Sequence, residues 1–188
     1  MKKPDFRKDR RHFYPKPAGK PAETGDRSVR RDPKARSGGT EWLYGLHTVA
    51  AALANPRRKL GRAVLTPRAV ETIGAPLLAR VRVETAEPGA IDKLLPPGAV
   101  HQGAALEAAP LPRLELEAVL DAAAQSPARK IVLVLDQLSD PHNVGAILRT
   151  AAAFGVAAVV VQDRHAPPQS GALAKAASGA LDLIPYVE

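Results

Sequence analysis

The residues best suited to chemistry in this chain lie in DPHNVGAILRTAAAFG, residues 140–155, where Asn143 and Arg149 stand among small and apolar side chains. A guanidinium offers a planar fork of N–H donors that matches phosphate or carboxylate, and it stays protonated at any ordinary pH. An asparagine amide both donates and accepts. Together they suit an anionic substrate that also carries a hydroxyl, such as a ribose beside its phosphate. Gly145, one turn before Arg149, leaves room for something planar or anionic to approach. The plainer alternative is an Asn143 cap on a helix plus a structural salt bridge from Arg149 to Asp182 or Asp140, and the residue types alone leave both open.

These side chains need elements to hold them. IVLVLD and AAVVVQ, residues 131–136 and 157–162, are continuous apolar runs of the kind found in parallel strands covered on both faces. The segment between them carries helical periodicity, with Ile147, Ala151 and Phe154 expected on the core side, so the three pieces predict a βαβ crossover. The loop Asp136 to His142 then lies beyond the carboxyl end of a strand, where open α/β sheets bind ligands. SGALAKAASGAL predicts a second helix and IPYVE a third strand. Two crossovers on one side would leave the other face of so apolar a sheet bare, which implies a missing piece or a partner surface.

Upstream, residues 41–109 read as a small α/β unit. Leu46, Val49, Ala50 and Leu53 recur at helical spacing, and Asn55-Pro56 stops the helix. RKLGRAVLT, VRVETAEP and HQGAALEAAP predict three short strands, with a helix from Gly89 to Leu95 between the second and third. Residues 110–129 predict a linker with an amphipathic helix that docks on the downstream unit. In this region His47, His101 and Gln102 are candidates for nucleic-acid contact, and Lys175 on the second helix of the downstream unit for phosphate. A structural histidine and a solvated lysine are the bland alternatives.

The formal charge of +8 is unevenly placed: residues 1–40 hold 13 Lys and Arg against 5 acids, whereas residues 41–188 hold 14 against 14. With Val29 as its one branched aliphatic, that tail cannot bury a core and is expected to be disordered. Basic arms find phosphate backbones, and Phe6, Phe13 and Tyr14 could stack on unpaired bases; a solubilising tail is the alternative. Five acids and two serines do not suit a mitochondrial presequence. The chain has no cysteine and its five histidines are scattered, so no metal site is expected. Without a long apolar run, neither a membrane span nor a membrane partner is expected, and the protein reads as cytoplasmic.

DPHNVGAILRTAAAFG resembles the first signature of the SpoU (TrmH-like) RNA ribose 2'-O-methyltransferases, in the SPOUT superfamily of knotted enzymes. YGLHTVAAALANP, closed by VHQGAALEAAP, resembles the small ribosomal-protein-like substrate-binding domain of the ribosomal-RNA branch. KAASGALDLIPYVE resembles the segment that follows the first signature. The resemblance covers residues 41–188. It implies an α/β chain: a substrate-binding α/β domain, then the first half of a knotted, Rossmann-like parallel-sheet SPOUT domain over residues 130–188.

It further implies transfer of a methyl group from S-adenosylmethionine to a ribose 2'-hydroxyl, in 23S-type ribosomal RNA rather than tRNA. Arg149 and Asn143 match the signature arginine and asparagine. A Gly-Glu-Gly loop and a Ser-Leu-Asn motif, the family's second and third signatures, find no match before Glu188. The chain is therefore expected to be an N-terminal fragment, inactive alone, with the cofactor site downstream of residue 188 and a homodimer at full length. A non-catalytic RNA-binding module is the alternative. An ordinary Rossmann nucleotide-binding domain ranks last, since neither GxGxxG nor GxxxxGK[ST] occurs.

Overall fold

The computed structural model describes residues 39–125, 130–162, 164 and 166–188. The tail expectation falls on residues 1–40, so nearly all of it lies outside the described residues. Strand β1 (Glu41–Tyr44) opens a four-stranded sheet with β2 (Leu60–Leu65), β3 (Arg82–Thr85) and β4 (Ala104–Ala108), in the order β1-β4-β2-β3. β4 runs antiparallel to both neighbours, while β2 and β3 are parallel. Alternation decides the faces. Leu43, Ala63, Leu65, Ala104 and Leu106 belong to one core, whereas Tyr44, Val64 and Ala105 belong to a second.

Helix α1 (Leu46–Ala54) places Val49, Ala52 and Leu53 in the first of these cores. Between β2 and β3, α2 (Pro67–Ile73) and α3 (Ala75–Leu78) make the crossover that a parallel pair requires. Helix α4 (Pro88–Asp92) buries Ile91 against the opposite face with Tyr44 and Val64.

The second sheet is parallel, in the order β5 (Val132–Leu135), β6 (Ala158–Val161), β7 (Tyr186–Val187). Helix α6 (Pro141–Phe154) connects β5 to β6, and α7 (Gly171–Ala177) with a 3-10 helix (Ala180–Asp182) connects β6 to β7. Neither face of this sheet is wholly bare, contrary to expectation. The linker helix α5 (Leu116–Ala124) closes one side, where Val119 packs with Ala158 and Val187. On the other side Val159 and Val161 share one continuous core with α6, α7 and the first sheet, so upstream and downstream units are fused through apolar contact. Ile131 and Val134, at 61% and 69% exposure, remain outside this cover.

Tyr186 enters the shared core from β7, and its hydroxyl is buried without a hydrogen-bond partner among the described residues. Burial, and then the Glu188 carboxylate, push its phenol above the ordinary tyrosine range. The folded state therefore holds this proton more tightly than the unfolded chain, so the associated stability is present below the unfolded pKa of about 10 and is lost as pH rises beyond it. Tyr186→Phe removes an unsatisfied buried group. It is expected to raise stability by about 1 kcal/mol near neutrality and to flatten the alkaline loss, as read from urea midpoints across pH.

Candidate functional site

Helix α6 is capped by Asp140, not Asn143. The Asp140 carboxylate accepts from the backbone N–H groups of His142 at 3.1 Å and Asn143 at 3.2 Å. Pro141 occupies the first helical position, where its missing N–H costs nothing, and Gly155 ends the helix in the left-handed region at φ 67°. An Asp-Pro pair is itself a start signal, and it outranks Asn143. Freed from capping, the Asn143 amide lies in the exposed first turn.

The buried positions of α6 are Val144, Gly145, Leu148 and Ala151. Phe154, expected in the core, is 78% exposed, because it sits in the last turn after the buried face has rotated away. Gly145 is not open ground for a ligand. A Cβ there would fall 2.5 Å from Ala176 Cβ and 2.8 Å from the Ala177 nitrogen, so the glycine serves close contact between α6 and α7. Arg149 is exposed on the outer side of α6 and forms no ion pair among the described residues. Asp182, one carboxylate offered as its partner, belongs to Arg58 instead at 2.8 Å.

At the carboxyl ends of β5 and β6, the Gln162 amide donates to Asp136. Near these two exposed residues lies the exposed side of α6, with Asn143 and Arg149.

A second set of residues gathers where the first sheet meets α7. Lys175 Nζ donates to Gln102 Oε1 at 2.9 Å, joining two candidates 73 positions apart in sequence. Burial holds the Lys175 ammonium below the ordinary lysine range. Gly45, at φ 96°, lies under this bond: a Cβ would come 2.6 Å from Lys175 Nζ. Gln102 itself takes a positive φ of 54°, which turns its side chain out of the strand entry. His47, the second residue of α1, is exposed. His101 is held by the structure, with Nδ1 accepting from the Gly103 N–H at 3.0 Å and Nε2 3.2 Å from Asp92 Oδ1.

Beside this corner runs an open groove of about 660 Å³ lined by Leu46, Thr66, Arg68, Thr72, His101 and Gln102, among others. Arg68 is exposed and makes the groove cationic. Its place at this groove is not legible in the sequence, since only the unforeseen α2 brings TPRAVET beside HQG.

A family model described as "SpoU rRNA Methylase family" matches residues 130–188, and one described as "RNA 2'-O ribose methyltransferase substrate binding" matches residues 42–114. The 23S rRNA (guanosine-2'-O-)-methyltransferase RlmB of Pasteurella multocida is 35% identical over 154 residues, a match covering 79% of this chain and 62% of that protein. RlmB of Vibrio cholerae is 37% identical, covering 78% and 61% respectively. Among solved structures, an AdoMet-bound rRNA methyltransferase from Sinorhizobium meliloti superposes with a TM-score of 0.60 at 23% identity, covering 79% of this chain and 53% of that one. The SpoU methyltransferase AviRb from Streptomyces viridochromogenes, in complex with AdoMet, gives 0.55 at 17%, covering 79% and 55%. Similarity at that level speaks for the fold. The chain thus spans about 60% of the length of the RlmB proteins and about half that of the solved chains. With the α6 signature inside them, residues 130–188 thus match the SpoU methylase family, and residues 42–114 before them match its substrate-binding counterpart.

Proposed function

We propose that the protein takes part in S-adenosylmethionine-dependent 2'-O-methylation of ribose in RNA, with 23S-type ribosomal RNA as substrate. The observation that carries this reading is Arg149: it stands at the signature position, exposed and without a carboxylate among the described residues. The cofactor supplies the electrophilic methyl group when bound. This chain's residues act on the other reactant.

A guanidinium is a poor proton acceptor, so Arg149 works as a clamp on the phosphate next to the target ribose and stabilises charge developing on its 2'-oxygen. Asn143 orients the ribose or the arginine fork from the same exposed side of the helix. Positioning of this kind can supply a large share of a transfer rate. The groove beside His101 and the Lys175–Gln102 corner, with His47 next to it, receive the RNA. The resemblance extends the proposal to a cytoplasmic homodimer at full length. No described helix is long and apolar enough to cross a membrane.

The test is mass spectrometry of ribosomal RNA from a strain lacking the gene. One 2'-O-methylated nucleotide should disappear from the large-subunit RNA and return on complementation with the wild-type gene. If every 2'-O-methyl group survives the deletion while the protein still binds RNA, the non-catalytic module is the correct reading. Deleting residues 1–40 removes 13 cations against 5 acids, and is expected to weaken RNA binding and flatten its dependence on salt. An unchanged salt slope in filter binding would return the tail to a solubilising role.

A further inference from the structure

The two matched segments are joined by a buried ion pair. Arg58, just after α1, has a side chain 1% exposed, as has that of Asp182 in the 3-10 helix. The guanidinium donates from Nε to Asp182 Oδ1 at 2.9 Å and from Nη2 to Oδ2 at 2.8 Å, while Nη1 donates to the Ala109 carbonyl at 3.0 Å. Asn55 Nδ2 donates to the same Oδ1 at 3.0 Å. The carboxylate therefore receives a two-pronged fork and an amide from one segment, a geometry that tolerates a single orientation.

Such a pair is an inefficient source of stability. Removing both charges from water costs several kcal/mol per ion, and apolar side chains of equal volume often serve as well or better. Orientation is what a fork supplies and an apolar pair does not. Other contacts cross the same seam: Thr48 Oγ donates to the Ala174 carbonyl at 3.2 Å, and Leu111 N donates to Gln169 Oε1 at 3.0 Å. A Cβ at Gly171 would collide with the Trp42 carbonyl.

We propose that Arg58 and Asp182 are positioning residues, a buried latch that locks the substrate-binding segment onto the methylase segment in one orientation. RNA held at the Lys175–Gln102 corner then meets Arg149 at a fixed spacing. The linker between the segments is not a tether that sets an effective concentration. The latch is a claim about geometry alone; its consequence for methyl transfer rests on the function proposed above.

The absence of cysteine makes the latch directly measurable. Arg82→Cys and Phe154→Cys lie on opposite sides of the seam, at residues 82% (side chain) and 78% exposed, and accept nitroxide labels for pulsed electron paramagnetic resonance. The doubly labelled chain is expected to give one narrow distance. Arg58→Met combined with Asp182→Leu should keep the urea midpoint yet lose that narrow distance to a broad distribution, and a Gly-Ser-Gly-Ser insertion between Pro112 and Arg113 should leave it unchanged. Should the double variant fail to fold, Asp182→Asn, equal in volume, is expected to broaden the distance. A broad distribution in the otherwise unaltered chain, a narrow one in the folded latch variants, or broadening by the insertion alone each overturns the proposal.

For methyl transfer to 23S ribosomal RNA by the whole protein, the latch variants are expected to lose about a hundredfold with RNA affinity unchanged. Full transfer alongside a broadened distance overturns the positioning role. Absence of transfer in the unaltered protein would instead refute the enzymatic reading, with the distance measurements deciding the latch by themselves.

Discussion

Arg149→Ala is expected to lower methyl transfer by about 10²–10³-fold, the loss typical of removing one preorganised donor from a site of developing charge. Folding should be untouched. The side chain is exposed and makes no ion pair among the described residues, and substitutions at such positions usually stay within about 0.5 kcal/mol. Arg149→Lys keeps the charge and discards the fork, so it should recover part of the rate if charge alone matters and little of it if two-point phosphate binding does. Turnover near the wild-type value in the alanine variant would remove Arg149 from the mechanism.

Gly145→Ala sets two effects of opposite sign against each other. Replacing a helix-interior glycine by alanine favours the helix by about 1 kcal/mol. Here the new methyl group would meet the Ala176 backbone carbon and the Ala177 nitrogen at 2.8 Å, atoms that cannot rotate aside. Overpacking of this kind costs about 1–3 kcal/mol, and separating α6 from α7 adds exposed apolar surface, so net destabilisation of about 2 kcal/mol is expected. Gly145→Val should be worse. Chemical denaturation decides it: a stabilised alanine variant would mean that the helices can part freely, and that the glycine is there for some other reason.

Much of the fold could be read locally. Continuous apolar runs announced β5 and β6, and the helical spacing between them announced α6. Four-residue β1 was not foreseen, since EWLY becomes a strand only by pairing Glu41 to Tyr44 with Ala108 to Ala105 on β4. Pro67 and Pro76 sit in the first turns of α2 and α3, at positions where a missing N–H is harmless. At the site, Asn143 and Arg149 could be named from residue type and signature, while the role of Gly145 could not. Its reason lies in Ala176, on another helix. Arg58 and Asp182 stand 124 positions apart, and nothing in either local sequence points to the other. Long-range pairing is where sequence periodicity stops being informative.

Helix α7 touches β1 at Gly171 and α6 opposite Gly145, in both places with little more than main chain in between. Flexible side chains ordinarily cushion such junctions, but here the neighbours are main chain and the buried Tyr44 ring. The helix stands as a strut between β1 and the Arg149-bearing α6, placed to pass on a shift of a few tenths of an ångström with little damping. Insertions or bulky replacements along it should accordingly be felt at both ends at once.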